Sequence, residues 1–252
     1  MRQKILFSGV VVSTVILFIS YFLLEKEIKE VEEKKVVAPQ KTQVELVKKI
    51  VTPKVVKKVY VSKKKKRFFS LILKPVATVH KELYDKFLFV QKSLQNETNK
   101  KEIQRLKKVY RVKTDKELLY AIKPHPKSIV IAQAALESAW GTSRIFKEAN
   151  NIFGMWSKNE NEPRIPALVK RDDNRTIWLR KFDTLEQSIR SYYFLMATGT
   201  KFKKFRKIRY ETQDITKILP ALEQYAEIGK EYPKRLMNTI KHNNLTQYDK
   251  EQ

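Results

Sequence analysis

The chain has 252 residues, with 53 Lys and Arg against 27 Asp and Glu, a formal charge of +26 and no cysteine. That length holds a globular domain of ~100–150 residues with room for a tail or linker. The missing thiols exclude disulfides, thiolate metal sites and a cysteine nucleophile.

Residues 5–24 read ILFSGVVVSTVILFISYFLL, without a charge. The run is about as long as a helix must be to cross ~30 Å of hydrocarbon. It meets Glu25-Lys26-Glu27 with no small-x-small cleavage site, so it reads as an uncleaved membrane anchor (1–24) rather than a signal peptide. Arg2 and Lys4 precede it, while Glu25 to Lys35 mixes five Glu with four Lys. This bias predicts a cytoplasmic amino terminus and an exported body. An exported body argues against a nucleic-acid partner, whatever the charge. Residues 25–67 are rich in Lys, Val and Glu and include Lys63-Lys64-Lys65-Lys66-Arg67. They read as a basic, largely disordered stalk.

From Phe68 the apolar content rises. Leu83, Phe87, Val90 and Leu94, then Ile103, Leu106, Val109 and Tyr110, predict helices over 79–94 and 100–120, in a helical segment bracing the domain (68–119). Pro124 and Pro126 bracket His125 and stop any helix there. The next helix is expected over 127–140, with Gly141 as its left-handed cap. Thr142 or Ser143 then caps a short helix over 144–149. Residues 165–171 and 176–182 are strand-like around the turn signal Asp172-Asp173-Asn174, so a β-hairpin is expected between helices. Thr184 and Gln187 form a capping box for the helix that follows. Two more helices are expected over about 214–225 and 232–243. His80, His125 and His242 are scattered in no metal-ligand spacing, so they read as surface or core residues and no metal or cofactor is expected.

One carboxylate stands out. Glu137 ends the run Ala132-Gln133-Ala134-Ala135-Leu136-Glu137, in a helix apolar nearly all round, on the face of Val130, Gln133, Ala134 and Gly141. A Glu there is paired, protonated, or at the lip of a cleft. A salt bridge to Arg144 is one reading. The other is a general acid whose burial holds its proton to higher pH.

The segment AQAALESAWGTSRIFKEANNIFGMW resembles the signature of bacterial peptidoglycan-cleaving glucosaminidases, in their Bax-like branch. The pattern there is Ala-x-x-x-Glu-(Ser/Thr)-x-Trp-Gly, a short helix, then Asn-Asn-(Leu/Ile)-Phe-Gly. Residues 169–171, 180–192 and 225–232 resemble it in order and spacing. The match covers about residues 120–248. The resemblance implies a mainly helical α+β, lysozyme-like domain (120–248) with a small β-hairpin lobe. It implies cleavage of the β-1,4 bond after N-acetylglucosamine in peptidoglycan glycan strands; the anchor and its flanking charges put the body on the outer side of a bacterial inner membrane. Glu137 matches the family's catalytic glutamate. A second carboxylate would come from Asp172 or Asp173, with Glu160 and Glu162 on the loop before them; the two Asp suit a turn better than catalysis, and Asp183 reads as a helix-start residue. The substrate's own 2-acetamido group can also take that role. Tyr225 and Tyr232 match tyrosines near the cleft, Tyr225 to orient the acetamido group or a water, Tyr232 to bind substrate or to pack. Trp140, Phe153 and Trp156 can stack on sugar or fill the core. Asn150 and Asn151 tie a loop together through backbone hydrogen bonds, and Gly154 suits a turn that a side chain would obstruct. A lytic transglycosylase and a non-catalytic peptidoglycan-binding protein are the competing readings.

Overall fold

The computed structural model describes residues 62–170 and 175–250. The anchor over 5–24, the stalk up to residue 61 and the Asp172-Asp173 turn lie outside the described residues. Among the described residues no helix is long and apolar enough to cross a membrane.

Helix α1 (Lys63–Gln95) starts within the expected stalk. The Ser62 hydroxyl accepts from Lys65 N, and the Lys65 ammonium reaches Asn243 Oδ1 at 3.1 Å and lies 4.6 Å from the Trp140 ring centre. These contacts hold a basic stretch that would otherwise repel itself. Phe68, Ile72, Val76, Val79, Phe87 and Val90 form its buried stripe, at the 3- to 4-residue steps of one helix face. The helix runs through Pro75.

The expected helix over 100–120 is two helices, α2 (Lys100–Tyr110) and α3 (Asp115–Ile122). Arg111 turns left-handed at φ 57°, and Thr114 with Glu117 closes a capping box that opens α3. Local capping chemistry outweighs the continuous apolar spacing there. Helix α4 (Lys127–Glu137) is buried along almost its full length and packs against α1 and the carboxyl-terminal segment. Helix α5 (Arg144–Ala149) follows, capped by Ser143 accepting from Phe146 N.

Strands β1 (Arg164–Lys170) and β2 (Thr176–Arg180) pair antiparallel, with Ile165 opposite Leu179, Pro166 opposite Trp178, and an irregular register between Pro166 and Lys170. Ile177 and Leu179 build a small core of their own with Ile145, Trp156 and Ile165. Helix α6 (Leu185–Thr198) opens on Thr184, whose hydroxyl accepts from Gln187 N. A 3₁₀ turn (Thr200–Phe202) leads into α7 (Lys203–Glu211). The expected helix over 214–225 is shorter: α8 (Ile215–Ile218), then a 3₁₀ turn (Leu219–Leu222) where Pro220 breaks the pattern. Helix α9 (Glu231–His242) and a last 3₁₀ turn (Leu245–Asp249) complete the described fold.

The main core gathers α4, the first half of α1, α6, α8 and α9. A second core joins the far half of α1 to α2 and α3. The architecture is thus mainly helical α+β with one two-stranded sheet. The segment over 68–119 is integral to both cores.

Candidate active site

Helix α4 stops at Glu137, three residues before the expected end at Trp140. Ser138 is the reason. Its hydroxyl donates to Ala134 O at 2.6 Å and accepts from Gly141 N at 2.8 Å. Ala139, Trp140 and Gly141 then run left-handed, at φ 50°, 59° and 73°. Left-handed backbone is costly for Ala and Trp, so the turn is held by its contacts. Trp140 packs edge-on against Phe68 and Phe69, with ring centres 5.5 and 5.8 Å away.

Glu137 therefore sits in the last turn of a helix, at the negative end of its dipole, which disfavours a carboxylate. It is half-buried. Arg144 does not reach it: that guanidinium pairs with Glu148 at 2.7 Å and donates to Pro166 O. The partner of Glu137 is Tyr232, whose hydroxyl donates to Oε1 at 2.8 Å. Burial pushes the carboxyl up to about 7, and the Tyr232 hydrogen bond only partly opposes this. Oε2 has no protein partner among the described residues and is not a sealed atom. A carboxyl that is protonated near neutrality, with one oxygen open, can donate a proton.

Tyr225 and Tyr232 stack with ring centres 5.1 Å apart and planes 15° from parallel. Burial and the nearby Glu137 push both phenols well above their ordinary range, so both are neutral donors. Tyr232 is fully buried, whereas Tyr225 is half-buried and its hydroxyl has no hydrogen bond among the described residues. Tyr225 thus keeps a free polar end beside Glu137.

The other expected site residues divide. Phe153 is buried and stacks on Tyr192 at 4.1 Å, so its ring is part of the core. Trp140 is occupied by α1. Trp156 bridges to Leu179 on β2 and lines a cavity of about 770 Å³ between the base of the hairpin, α1 and α6; Glu137 does not line that cavity. Asn150 caps α5 at φ 48° and donates to Phe182 O and Asp183 O, both at 3.0 Å. Asn151 donates to Met155 O and Arg180 O and accepts from Met155 N, all within 2.9 Å. These amides fasten the hairpin to the helical body. Gly154 has φ 62°, but a Cβ there would meet nothing within 4 Å. The turn needs glycine for its backbone angle, not because a side chain would be obstructed.

Of the carboxylates on the loop before the hairpin, Glu162 binds Arg180 at 3.0 Å and Glu160 lies 3.9 Å from Arg164, while Asp183, read as a helix-start residue, accepts from Gln187 at the start of α6. Asp172 and Asp173 lie outside the described residues. Among the described residues, no three His, Asp or Glu side chains gather as a metal site.

Sequence reasoning missed the groups behind Tyr232. Gln133, Tyr192, His125 and Arg209 are buried polar residues joined by hydrogen bonds. A Gln one turn before Glu137 in an apolar helix was the available signal; its partners come from distant segments.

Residues 114–245 match the family model described as mannosyl-glycoprotein endo-beta-N-acetylglucosaminidase. Protein bax of Escherichia coli (strain K12) is 30% identical over 121 residues, 46% of this chain and 42% of that protein. Exo-glucosaminidase LytG of Bacillus subtilis (strain 168) is 30% identical over 130 residues, 48% of this chain and 45% of that protein. The chain thus matches less than half the length of these two relatives. The catalytic domain of the autolysin Auto from Listeria monocytogenes shares the fold, at a TM-score of 0.50 and 19% identity, over 75% of this chain and 90% of that one. The family match spans just over half of the 252 residues and contains Glu137, both tyrosines and the hairpin, and on that ground the chain belongs to this glucosaminidase family.

Proposed function

We propose that this protein hydrolyses the β-1,4 bond after N-acetylglucosamine in peptidoglycan, with Glu137 as general acid. The observation that carries the reading is the half-buried Glu137 carboxyl, raised to about 7 and bound on one oxygen only. Membership of a glucosaminidase family and the glucosaminidase name of one relative support the substrate.

In the proposed reaction, Glu137 gives its proton to the glycosidic oxygen as the bond from C1 to that oxygen breaks. The carbonyl oxygen of the substrate's 2-acetamido group forms a bond to C1, through an oxocarbenium-like transition state. The Glu137 carboxylate then takes a proton from water, whose oxygen attacks C1 and reopens the ring formed by the acetamido group. The free Tyr225 hydroxyl orients that acetamido group. Among the described residues the loop carboxylates Glu162 and Glu160 lie against Arg180 and Arg164, and the acetamido group can take the part of a second carboxylate.

Residues 5–24 anchor the protein in the inner membrane of a bacterium and residues 25–61 carry the body toward the wall. This part of the proposal rests on hydrophobic length and flanking charge alone.

Digestion of peptidoglycan sacculi with the full chain, read by mass spectrometry, tests the reaction. New reducing N-acetylglucosamine ends, with the anomeric configuration retained, are expected. Anhydro-muramyl ends would instead make the protein a lytic transglycosylase, and binding without release of fragments would make it a glycan-binding protein.

A further inference from the structure

The polar groups behind Tyr232 form one continuous path through the core. Arg209 is 2% exposed, Tyr232 1%, and His125, Tyr192 and Gln133 are fully sealed. They come from five separate places in the chain: His125 from the link before α4, Gln133 from α4, Tyr192 from α6, Arg209 from α7 and Tyr232 from α9. Most of this path is closed to bulk solvent, and every link in it is a hydrogen bond between protein groups.

Its direction is fixed from one end. A guanidinium has only donors. Arg209 Nη2 donates to Tyr120 O at 2.9 Å and Ala121 O at 2.8 Å, which sets the side chain, and Nη1 points at His125 Nδ1 at 3.4 Å. His125 Nδ1 must then carry the lone pair and Nε2 the hydrogen. Nε2 donates to Tyr192 Oη at 2.8 Å. Tyr192 passes its own hydrogen to Gln133 Oε1. With the Gln133 carbonyl taken, its amide nitrogen donates to Tyr232 Oη at 3.1 Å. Tyr232, having accepted, donates to Glu137 Oε1. A reversal before Gln133 would set two donors face to face at Arg209 and His125, and a reversal at Glu137 would leave the buried Tyr232 hydrogen without an acceptor, since its other neighbour is the Gln133 amide nitrogen.

We propose that Arg209, His125, Tyr192 and Gln133 are positioning residues for the general acid: a one-way chain of hydrogen bonds that holds Tyr232 as donor to Glu137 Oε1 and so keeps the transferable proton on Oε2. This deepens the reading of Glu137 as general acid and rests on it. The chain needs a neutral imidazole at its second link. Around His125 the charged and titratable groups are Arg209, His80, Tyr192 and Tyr193, the last with its ring centre 4.7 Å away. Burial, then Arg209 and His80, hold that imidazole well below its ordinary range. Around Glu137 the titratable groups are the phenols Tyr225, Tyr232 and Tyr192. Each donor in line polarises the next, so loss of a distant link weakens the last hydrogen bond.

The test uses the full chain in detergent micelles and two NMR readouts that a purely structural network would not move. In the unaltered protein, imidazole ¹⁵N shifts should show the Nε2–H form of His125 throughout pH 5–9; the Nδ1–H form or an imidazolium would overturn the proposal. The Glu137 carboxyl ¹³C titration is then compared with Tyr192→Phe and Gln133→Met. Each variant should move the midpoint upward by ~0.5 unit, because a weaker Tyr232 hydrogen bond stabilises the carboxylate less. On sacculi kcat should fall by about fivefold or more, with KM changed less than about twofold, as expected for groups that act through the acid. An unmoved midpoint in folded variants would also overturn it. If neither variant folds, the His125 tautomer decides. If the unaltered protein cleaves no peptidoglycan, the functional reading fails, and the tautomer and titration still judge the chain of bonds.

Discussion

Glu137 shows what it costs to bury one carboxyl beside a single hydrogen-bond donor. Its folded value near 7 lies above the ordinary 4.5, so the folded state holds a proton that the unfolded chain releases between those values. Stability from this group is therefore fully present below about 4.5 and is lost as pH rises through about 7, by on the order of 3 kcal/mol. Glu137→Gln removes the ionisation while keeping an acceptor for Tyr232. Thermal unfolding should show the variant more stable at pH 8, by ~6–12 °C, and close to the unaltered protein at pH 4.5. A variant no more stable than the unaltered protein at pH 8 would show that the carboxylate is not penalised. The residue itself was legible in the sequence, since an acid in an apolar helix has few explanations. Its partner was not: Tyr232 lies 95 positions away, and no local pattern announces that contact. The Arg144 alternative failed for a local reason, because Arg144 has Glu148 one turn along its own helix.

The elements divide along the same line. Features set by short-range chemistry were readable: the cap at Ser143, one of two candidates, the paired strands of the hairpin, and the Thr184 start of α6. The end of α4 was misread because Ala139 and Trp140 suit a helix, while the Ser138 hydroxyl closes the turn earlier. The break between α2 and α3 was missed for a similar reason, a cap inside an unbroken apolar rhythm. Asn151 is the clearest device at this scale. Its amide joins the Met155 turn to Arg180 on β2 through three hydrogen bonds. Asn151→Ala should cost ~2–3 kcal/mol, since buried partners lose their bonds as well, and amide hydrogen exchange should quicken in the hairpin before it does in α4. Uniform exchange across both would show that the hairpin is not separately fastened.

Across the whole molecule, charge is the property that most affects encounter with a polymer. The chain carries +26, and peptidoglycan stem peptides carry carboxylates. Association should therefore weaken with salt. Pelleting with sacculi at 50 mM and 500 mM sodium chloride should show several-fold less bound protein at the higher concentration; equal binding would mean that recognition rests on the sugars alone. The fold class followed from the resemblance together with the strand-and-helix pattern. The place of residues 68–119 did not, because a bracing helix shows its apolar stripe but not what it covers. In the structure that stripe reaches from the Trp140 turn to the second core.

The most direct test of the central claim is the rate of reducing-end release from sacculi between pH 5 and 9, by the full chain and by Glu137→Gln. A protonated Glu137 as general acid predicts a rate that falls with rising pH around a midpoint near 7, and a variant slower by at least ~10²-fold across the range. A rate still climbing above pH 8, or a Gln variant as fast as the parent, would contradict it.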